Sequence, residues 1–209
     1  MTFETIIFEE EGGVATVTLD RPESANVLDL TMAEELAKVA IRCDEDPAIR
    51  AVILTGQGRF FSAGGDLKSF ATAGAGLGAL IKEMTLHFHG AVSRLSRMDP
   101  PVIAAVNGVA AGAGFSMAAA CDLIVAAESA TFVSAYTAAA LSPDGSSTYF
   151  LPRMVGMRRA AELMLTNRTL SAAEALEWGF VNRVVADEQL SAEVAALAGR
   201  LAAGPTRAF

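Results

Sequence analysis

The sequence predicts an α/β fold in which layered sheets are surrounded by helices. Three observations support this class. The chain opens with two strand-like segments around a Gly12-Gly13 turn. Two later strands rich in Val and Ile, within residues 51–56 and 101–106, each run through a small-residue loop toward a helix. Beyond Pro143 the pattern becomes mostly helical. Strands that alternate with helices are typical of α/β proteins, and 209 residues suffice for one substantial core.

The N-terminal elements follow from hydrophobic periodicity. The second of the two opening strands alternates apolar and polar residues, as a half-buried strand does. Residues 31–43 predict an amphipathic helix, in which Thr31 and Glu34 form a capping-box pattern. Apolar residues at helical spacing share one face of this helix: Met32, Leu36, Val39 and Cys43.

The middle of the chain alternates strands and loops. Residues 51–56 predict a buried strand, and residues 57–67 the loop that leaves it. Residues 71–79 are small and of low complexity, which predicts a mobile loop. A helix then runs to about Met98, and residues 101–106 predict a second buried strand.

The C-terminal part contains the strongest helix signals. Ser171 and Glu174 form a second capping-box pattern, and Gly179 is a stop signal for the helix that follows. A last helix is expected from about residue 191 toward 204. Short strands are predicted in three places: residues 122–127, 131–135 and 181–185.

Composition narrows the possible partners and location. The net charge of −8 argues against nucleic acid or an anionic membrane as the main partner. Cys43 and Cys121 are far apart in apolar surroundings, which indicates free thiols in a reducing compartment. The acidic N-terminus lacks the plan of a signal peptide. We therefore expect a cytoplasmic protein.

Residues 108–122, "GVAAGAGFSMAAACD", form the most apolar stretch of small residues. A membrane span needs about 20 residues dominated by large apolar side chains. Here Ala and Gly dominate, Ser116 interrupts the run, and Asn107 and Asp122 flank it. The stretch is therefore expected inside a water-soluble fold, either as packing or as backbone that a ligand can approach.

Two buried strands lead into small-residue loops, "FSAGGDL" and "NGVAAGAGFSM". The bare backbone amides of such loops can face a ligand where the next helix begins. Two amides directed at one point would form an oxyanion hole. The alternative is that the glycines only permit tight turns and close packing. For either loop alone we favour packing, whereas the pair favours function.

Five segments together resemble the crotonase superfamily, which comprises enoyl-CoA hydratases and isomerases. They are "RPESANVL", "FSAGGDL", "PPVIAAVNGVAAGAG", "ACDLIVAAESATF" and "LPRMVGMRRAAELMLTNRTLSAAEALEWGFVNRVV". The resemblance covers nearly the whole chain. It implies a crotonase fold of repeated ββα units, one domain over residues 1–209, an acyl-CoA thioester as substrate, no separate cofactor or metal, and a homotrimer or dimer of trimers. Members of the family usually continue into a further helical segment, which is expected to be missing here.

The resemblance also implies the roles of particular residues. The thioester oxygen would lie between the amides of Gly65 and Ala113. Arg21 and Lys68 could meet the CoA phosphates, although both could equally be ordinary surface charges. The CoA groove and acyl pocket would be lined by Ala25, Val27, Ala63, Gly64, Asp66, Leu67, Gly112, Ser116 and Tyr136.

At two positions the chain departs from the hydratase pattern. Family hydratases place glutamates where this chain has Ser116 and Tyr136, and neither can act as a carboxylate base. Asp144, in "LSPDGSSTYFLPR", is the remaining acid in this region. On composition alone, an aspartate between Pro143 and Gly145 is more typical of a helix N-cap. The resemblance to the aspartate-dependent enoyl-CoA isomerases favours a proton-transferring base instead, and we therefore predict an isomerase.

Two alternatives remain open at this point. A relation to 4-chlorobenzoyl-CoA dehalogenases would make Asp144 a nucleophile, with His89 near the position of a helper histidine and Tyr136 in place of a tryptophan. For His87 and His89 we prefer a helix surface or a satisfied core histidine. The other alternative is a catalytically silent crotonase-fold protein that binds acyl-CoA, since both glutamates are absent.

Overall fold

The computed structural model describes residues 2–209 and contains ten strands and eight helices in that range. The strands are β1 (Ile6–Glu11), β2 (Val14–Leu19), β3 (Ala51–Gly56), β4 (Phe60–Ser62), β5 (Val102–Val106), β6 (Val109–Ala111), β7 (Leu123–Ala127), β8 (Thr131–Val133), β9 (Leu170–Ser171) and β10 (Arg183–Val185). The helices are α1 (Leu30–Glu45), α2 (Leu67–Thr72), α3 (Leu77–Leu95), α4 (Ala113–Ala119), α5 (Ser147–Val155), α6 (Met157–Thr166), α7 (Ala172–Glu177) and α8 (Leu190–Ala202).

The strands form two sheets. The larger sheet has the order β1-β2-β3-β5-β7-β10, and the smaller one β4-β6-β8-β9. In the larger sheet only the β1–β2 hairpin is antiparallel, and its central strands β3, β5 and β7 are almost entirely buried. Continuous apolar strands are expected where helices cover a parallel sheet. The predicted α/β class with layered sheets and surrounding helices is confirmed.

The smaller sheet positions the two glycine-rich loops. Its strands β4, β6 and β8 run parallel, with Phe60 opposite Val109 and Val109 opposite Thr131. The segments predicted simply as loops after β3 and β5 therefore each contain a three-residue strand. Because β4 and β6 are hydrogen-bonded neighbours, the loops that follow them emerge side by side.

Two local predictions were wrong. The cap of α1 is Asp29, whose carboxylate accepts a hydrogen bond from the Met32 amide at 2.9 Å, so Thr31 and Glu34 do not form the capping box. The N-cap lies two residues earlier than the predicted one, and the Asp29 carboxylate satisfies one of the orphan amides of the helix. Residues 71–79 are not an open loop. They hold the end of α2, a short turn of 3₁₀ helix and the start of α3. The four alanines of the segment favour helix, against its three glycines.

Other local predictions hold. The capping box of α7 is present, since the Ser171 hydroxyl accepts from the Glu174 amide while the Glu174 carboxylate accepts from the Ser171 amide. Gly179 follows this helix with a positive φ of 77°. Cys43 and Cys121 are both buried free thiols. Across residues 2–209, no helix combines the length and apolar character that a membrane crossing requires.

Candidate active site

A cavity of about 220 Å³ lies where the loop after β4, the start of α4, helix α3 and the segment 135–144 meet. Its walls are mainly apolar, with a few polar groups, as in most small-molecule sites. Eight predicted site residues line it: Ala63, Gly64, Gly65, Leu67, Gly112, Ala113, Tyr136 and Asp144. Among the described residues 2–209, the lining does not include Ala25, Val27, Asp66 or Ser116.

The amides of Gly65 and Ala113 face no acceptor among residues 2–209. Around Gly65, the Leu28 amide donates to the Gly64 carbonyl at 2.7 Å, and the Asp66 amide donates to the Leu28 carbonyl at 2.9 Å. Ala113 is the first residue of α4, so its amide has no partner in the helix. Two peptide donors are thus presented to one cavity.

Gly64 brings the two loops into contact. Its φ is +96°, a region that side chains strongly disfavour. A Cβ at this position would lie 2.9 Å from the Ala111 carbonyl oxygen and 3.3 Å from the Ala113 nitrogen. Only glycine permits this approach. The requirement for a bare backbone at Gly64 is therefore geometric.

The predicted groove residues outside the lining support the loop structure. The Ala63 amide donates to the Ala25 carbonyl at 3.0 Å. Asp66 caps α2, since its carboxylate accepts from the amides of Lys68 at 3.0 Å and Ser69 at 3.2 Å. The structure thus gives the Asp66 side chain a capping role, which the sequence interpretation did not include.

Arg21 is engaged by neighbouring acids. Its guanidinium lies 3.0 Å from the Asp29 carboxylate and 3.7 Å from that of Asp66, and it donates to the Val27 carbonyl at 2.8 Å. Arg21, which could equally have met the CoA phosphates or been a surface charge, is therefore neutralised locally and organises the segment that carries Val27. Lys68 is exposed.

The Asp144 carboxylate contacts His89 rather than capping α5. Its Oδ2 lies 3.1 Å from Nε2 of His89, which is carried by α3. The backbone carbonyl of Asp144, not its side chain, accepts from the Ser147 amide at 3.1 Å and hydroxyl at 2.8 Å. The N-cap interpretation favoured by composition was therefore wrong, because the turn is closed through the main chain and leaves the carboxylate at the cavity.

His89 was expected to be a helix-surface or satisfied core histidine, and the structure pairs it with Asp144. Its side chain is 47% exposed on α3, as a surface histidine would be, yet its Nε2 is directed at Asp144. The Gly145 amide also lies 3.3 Å from this nitrogen. The only signal for this pairing was the approximate match to the helper histidine of the dehalogenases. Contact between residues 55 positions apart has no local sequence signature.

Tyr136 and Ser116 form a buried pair. The phenol oxygen lies 2.7 Å from the Ser116 hydroxyl, which donates to the Gly112 carbonyl at 3.2 Å. Ser116 is fully buried behind the cavity wall, and Tyr136 lines it. Burial, followed by the negative charge of Asp144, raises the pKa of Tyr136 well above its ordinary value. The phenol therefore stays protonated and can only act as a hydrogen-bonding group near neutral pH.

Comparison with known proteins gives consistent matches. The family profile for enoyl-CoA hydratase/isomerase matches residues 9–209. The chain is 40% identical over 202 residues to 4-chlorobenzoyl coenzyme A dehalogenase-2 from Arthrobacter sp., covering 96% of this chain and 73% of that protein. It is 42% identical over 207 residues to 1,2-epoxyphenylacetyl-CoA isomerase from Escherichia coli strain K12, covering 97% of this chain and 78% of that protein.

A solved structure supports the same relation. The crystal structure of an enoyl-CoA hydratase from Mycobacterium avium subsp. paratuberculosis K-10 superposes with a TM-score of 0.91 at 33% sequence identity. The match covers 100% of this chain and 82% of that one.

Proposed function

The chain belongs to the enoyl-CoA hydratase/isomerase family, and from this premise we propose that it shifts a double bond in an enoyl-CoA thioester. One observation carries the proposal: the Asp144 carboxylate lines the same cavity as the amides of Gly65 and Ala113. By the family resemblance, Ser116 and Tyr136 stand where hydratases place glutamates, and neither is a carboxylate. A double-bond shift needs one base, because the proton removed from one carbon returns two carbons away.

The reaction begins with polarisation of the thioester. Its carbonyl oxygen accepts hydrogen bonds from the amides of Gly65 and Ala113. Negative charge grows on this oxygen as the adjacent C–H bond breaks, so these donors act mainly in the transition state. Removing one such donor typically costs about 2.7–4 kcal/mol of activation free energy.

Asp144 then transfers the proton. Its carboxylate takes the proton from the carbon next to the carbonyl, and the electron pair of that C–H bond enters the conjugated dienolate. Asp144, now a carboxylic acid, returns the proton at the far end of the dienolate, so that atoms and charge balance. Tyr136 shapes the acyl pocket, and its hydroxyl pairs with Ser116. The proposed chemistry uses no cofactor besides the coenzyme A of the substrate.

The decisive experiment supplies a 3-enoyl-CoA and follows the ultraviolet absorbance of the conjugated 2-enoyl product. We expect turnover without net addition of water. Binding of the CoA thioester without turnover would instead support a catalytically silent acyl-CoA-binding protein.

A second candidate is hydrolytic dehalogenation of a haloaroyl-CoA, and the contact of 3.1 Å between His89 and Asp144 favours it. Asp144 would attack the ring carbon that bears the halogen, halide would leave, and His89 would deprotonate a water that hydrolyses the aryl ester and restores Asp144. An Arthrobacter relative is named for such a reaction. Release of halide from 4-chlorobenzoyl-CoA would establish this candidate, and its absence alongside isomerase turnover would exclude it.

The proposal includes assembly and location. We place the protein in the cytoplasm as a homotrimer or a dimer of trimers, which the family resemblance implies and which the buried free thiols Cys43 and Cys121 suit. Light scattering coupled to size-exclusion chromatography tests the assembly. A monomer that turns over substrate would contradict it without affecting the proposed chemistry.

A further inference from the structure

A chain of hydrogen bonds ends on the carbonyl of the Gly112–Ala113 peptide. The Ser116 hydroxyl donates to the Gly112 oxygen at 3.2 Å, and the Ser116 amide donates to the same oxygen at 3.0 Å. Because the single hydroxyl proton of Ser116 is used there, the 2.7 Å contact with Tyr136 is closed by the phenol proton. The order of donation is thus Tyr136 to Ser116 to Gly112.

The carbonyl of Gly112 and the amide of Ala113 belong to one peptide unit. Peptide resonance links them, so that donors to the oxygen draw electron density away from the nitrogen and make its N–H a stronger donor. Chains of hydrogen bonds polarise one another, and low dielectric strengthens each bond. Ser116 is 0% exposed and Tyr136 8% exposed, so water does not compete here.

We propose that Ser116 is a positioning residue that polarises this peptide and so strengthens the Ala113 amide as a donor to the thioester oxygen. The inference rests on the proposed function, since it assigns a role within the oxyanion hole.

The Gly65 amide has an equivalent arrangement made of main chain alone. The carbonyl of its peptide belongs to Gly64 and accepts from the Leu28 amide at 2.7 Å. Both peptides that face the cavity therefore receive a donor on the carbonyl side. Among these donors to the two carbonyl groups, only the Ser116 hydroxyl belongs to a side chain. Substitution of Ser116 can therefore test the effect.

The expected loss of activity follows from general values for hydrogen bonds and oxyanion holes. Each hydrogen bond strengthens its neighbour by about 10–30%, and one oxyanion donor contributes about 10²–10³-fold to kcat. Losing 10–30% of the contribution of one donor corresponds to a loss of kcat of about two- to eightfold. We expect this loss when the Ser116 hydroxyl is removed. KM should change less, because the charge on the oxygen grows in the transition state.

The test compares Ser116→Ala with Ser116→Cys, which keeps the size of the side chain but donates weakly. The probe is 4-(dimethylamino)cinnamoyl-CoA, whose absorption moves to longer wavelength when its thioester carbonyl is polarised. At saturation we expect the shift on binding to be largest in the wild type, smaller in Ser116→Cys and smallest in Ser116→Ala. If Ser116 had only a structural role, the variants would bind the probe with altered affinity, but the absorption shift at saturation would be the same in all three proteins.

Ser134→Ala is the matched control, because Ser134 is also buried but its hydroxyl is outside this chain of hydrogen bonds. It should keep the wild-type shift. Equal shifts in the wild type and both Ser116 variants would overturn the inference and leave the proposed function intact. If Ser116→Ala does not fold, the comparison of Ser116→Cys with the wild type decides. A wild-type complex with no shift would overturn the oxyanion hole itself, and the inference with it.

Discussion

The two walls of the cavity are built by different means. The backbone wall consists of Gly64, Gly65, Gly112 and Ala113, and its loops leave the paired strands β4 and β6. The side-chain wall consists of Tyr136 and Asp144, and His89 on α3 contacts Asp144 from outside the lining. In the proposed function, the backbone wall polarises the thioester and the side-chain wall selects the reaction that follows.

The two walls also differ in backbone conformation. The segment that carries Tyr136 and Asp144 contains three non-glycine residues with positive φ: Ala135 at 60°, Ala140 at 56° and Ser146 at 64°. Such conformations cost about 1–3 kcal/mol each and cluster at functional sites. The side-chain wall is therefore the less stable construction, and its geometry depends on contacts from α3.

The largest effect is expected from Asp144→Asn, which keeps the shape of the side chain but removes the proton acceptor. We expect kcat to fall by about 10²–10⁴-fold, while calorimetry shows nearly unchanged affinity for an acyl-CoA. Asp99→Asn is the control, because Asp99 is an exposed acid near Arg207. Near-wild-type turnover in Asp144→Asn would show that the base lies elsewhere.

Gly64→Ala tests the backbone wall. A Cβ there would lie 2.9 Å from the Ala111 oxygen at a φ of +96°, so the loops must separate. We expect a loss of about 1–3 kcal/mol in the free energy of unfolding by urea, and a fall in kcat of up to about 10²-fold as the donors lose alignment.

Gly78→Ala provides the matched control within α3. A Cβ at this position meets no atom within 4 Å, and alanine favours a helix by up to about 1 kcal/mol. The variant should be as stable as the wild type or more so. If Gly64→Ala behaves in the same way, the close approach of the two loops is not required.

His89→Gln separates the two candidate reactions. For a double-bond shift the contact with Asp144 only orients the base, and an exposed pair is worth up to about 1 kcal/mol, so kcat should fall by no more than about fivefold. For dehalogenation, loss of the histidine should stop release of the aromatic product after halide has left. Product chromatography distinguishes these outcomes, with His87→Gln on the same helix as the control.

The smallest effect concerns the Tyr136 phenol. Because burial and the charge of Asp144 raise its pKa, the phenol should stay protonated in the folded protein as the pH rises past about 10, where model tyrosines ionise. Titrations of the wild type and Tyr136→Phe, followed by the absorbance of phenolate, should therefore coincide until the protein unfolds. An extra ionisation in the wild type within this range would contradict the buried arrangement.

The sequence predicted long periodic elements well and short contacts poorly. The β1–β2 hairpin, α1, the buried strands β3 and β5, and α8 have the hydrophobic patterns that burial demands. The strands of the smaller sheet are three residues or fewer. Only β8 was predicted, within residues 131–135, and β4, β6 and β9 are too short for a period to be visible. Their pairing comes from the tertiary fold.

The candidate site also has a part that the sequence predicted and a part that it did not. Gly65 and Ala113 could be placed from motifs, because each motif is local. The pairing of His89 with Asp144 could not, since it depends on how α3 lies against a turn 55 residues later. Ser116 was expected at the acyl pocket and instead lies behind Tyr136, a depth that no spacing in the sequence encodes.

The pairing of β4 with β6 has a consequence for engineering. Gly65 follows the last residue of β4 by three positions and Ala113 follows the last residue of β6 by two, and neighbouring strands lie about 4.8 Å apart. The distance between the two donors is thus a property of main-chain spacing. We expect that libraries randomised at the surrounding pocket positions would retain carbonyl activation, which makes this chain a suitable scaffold for installing new thioester chemistries.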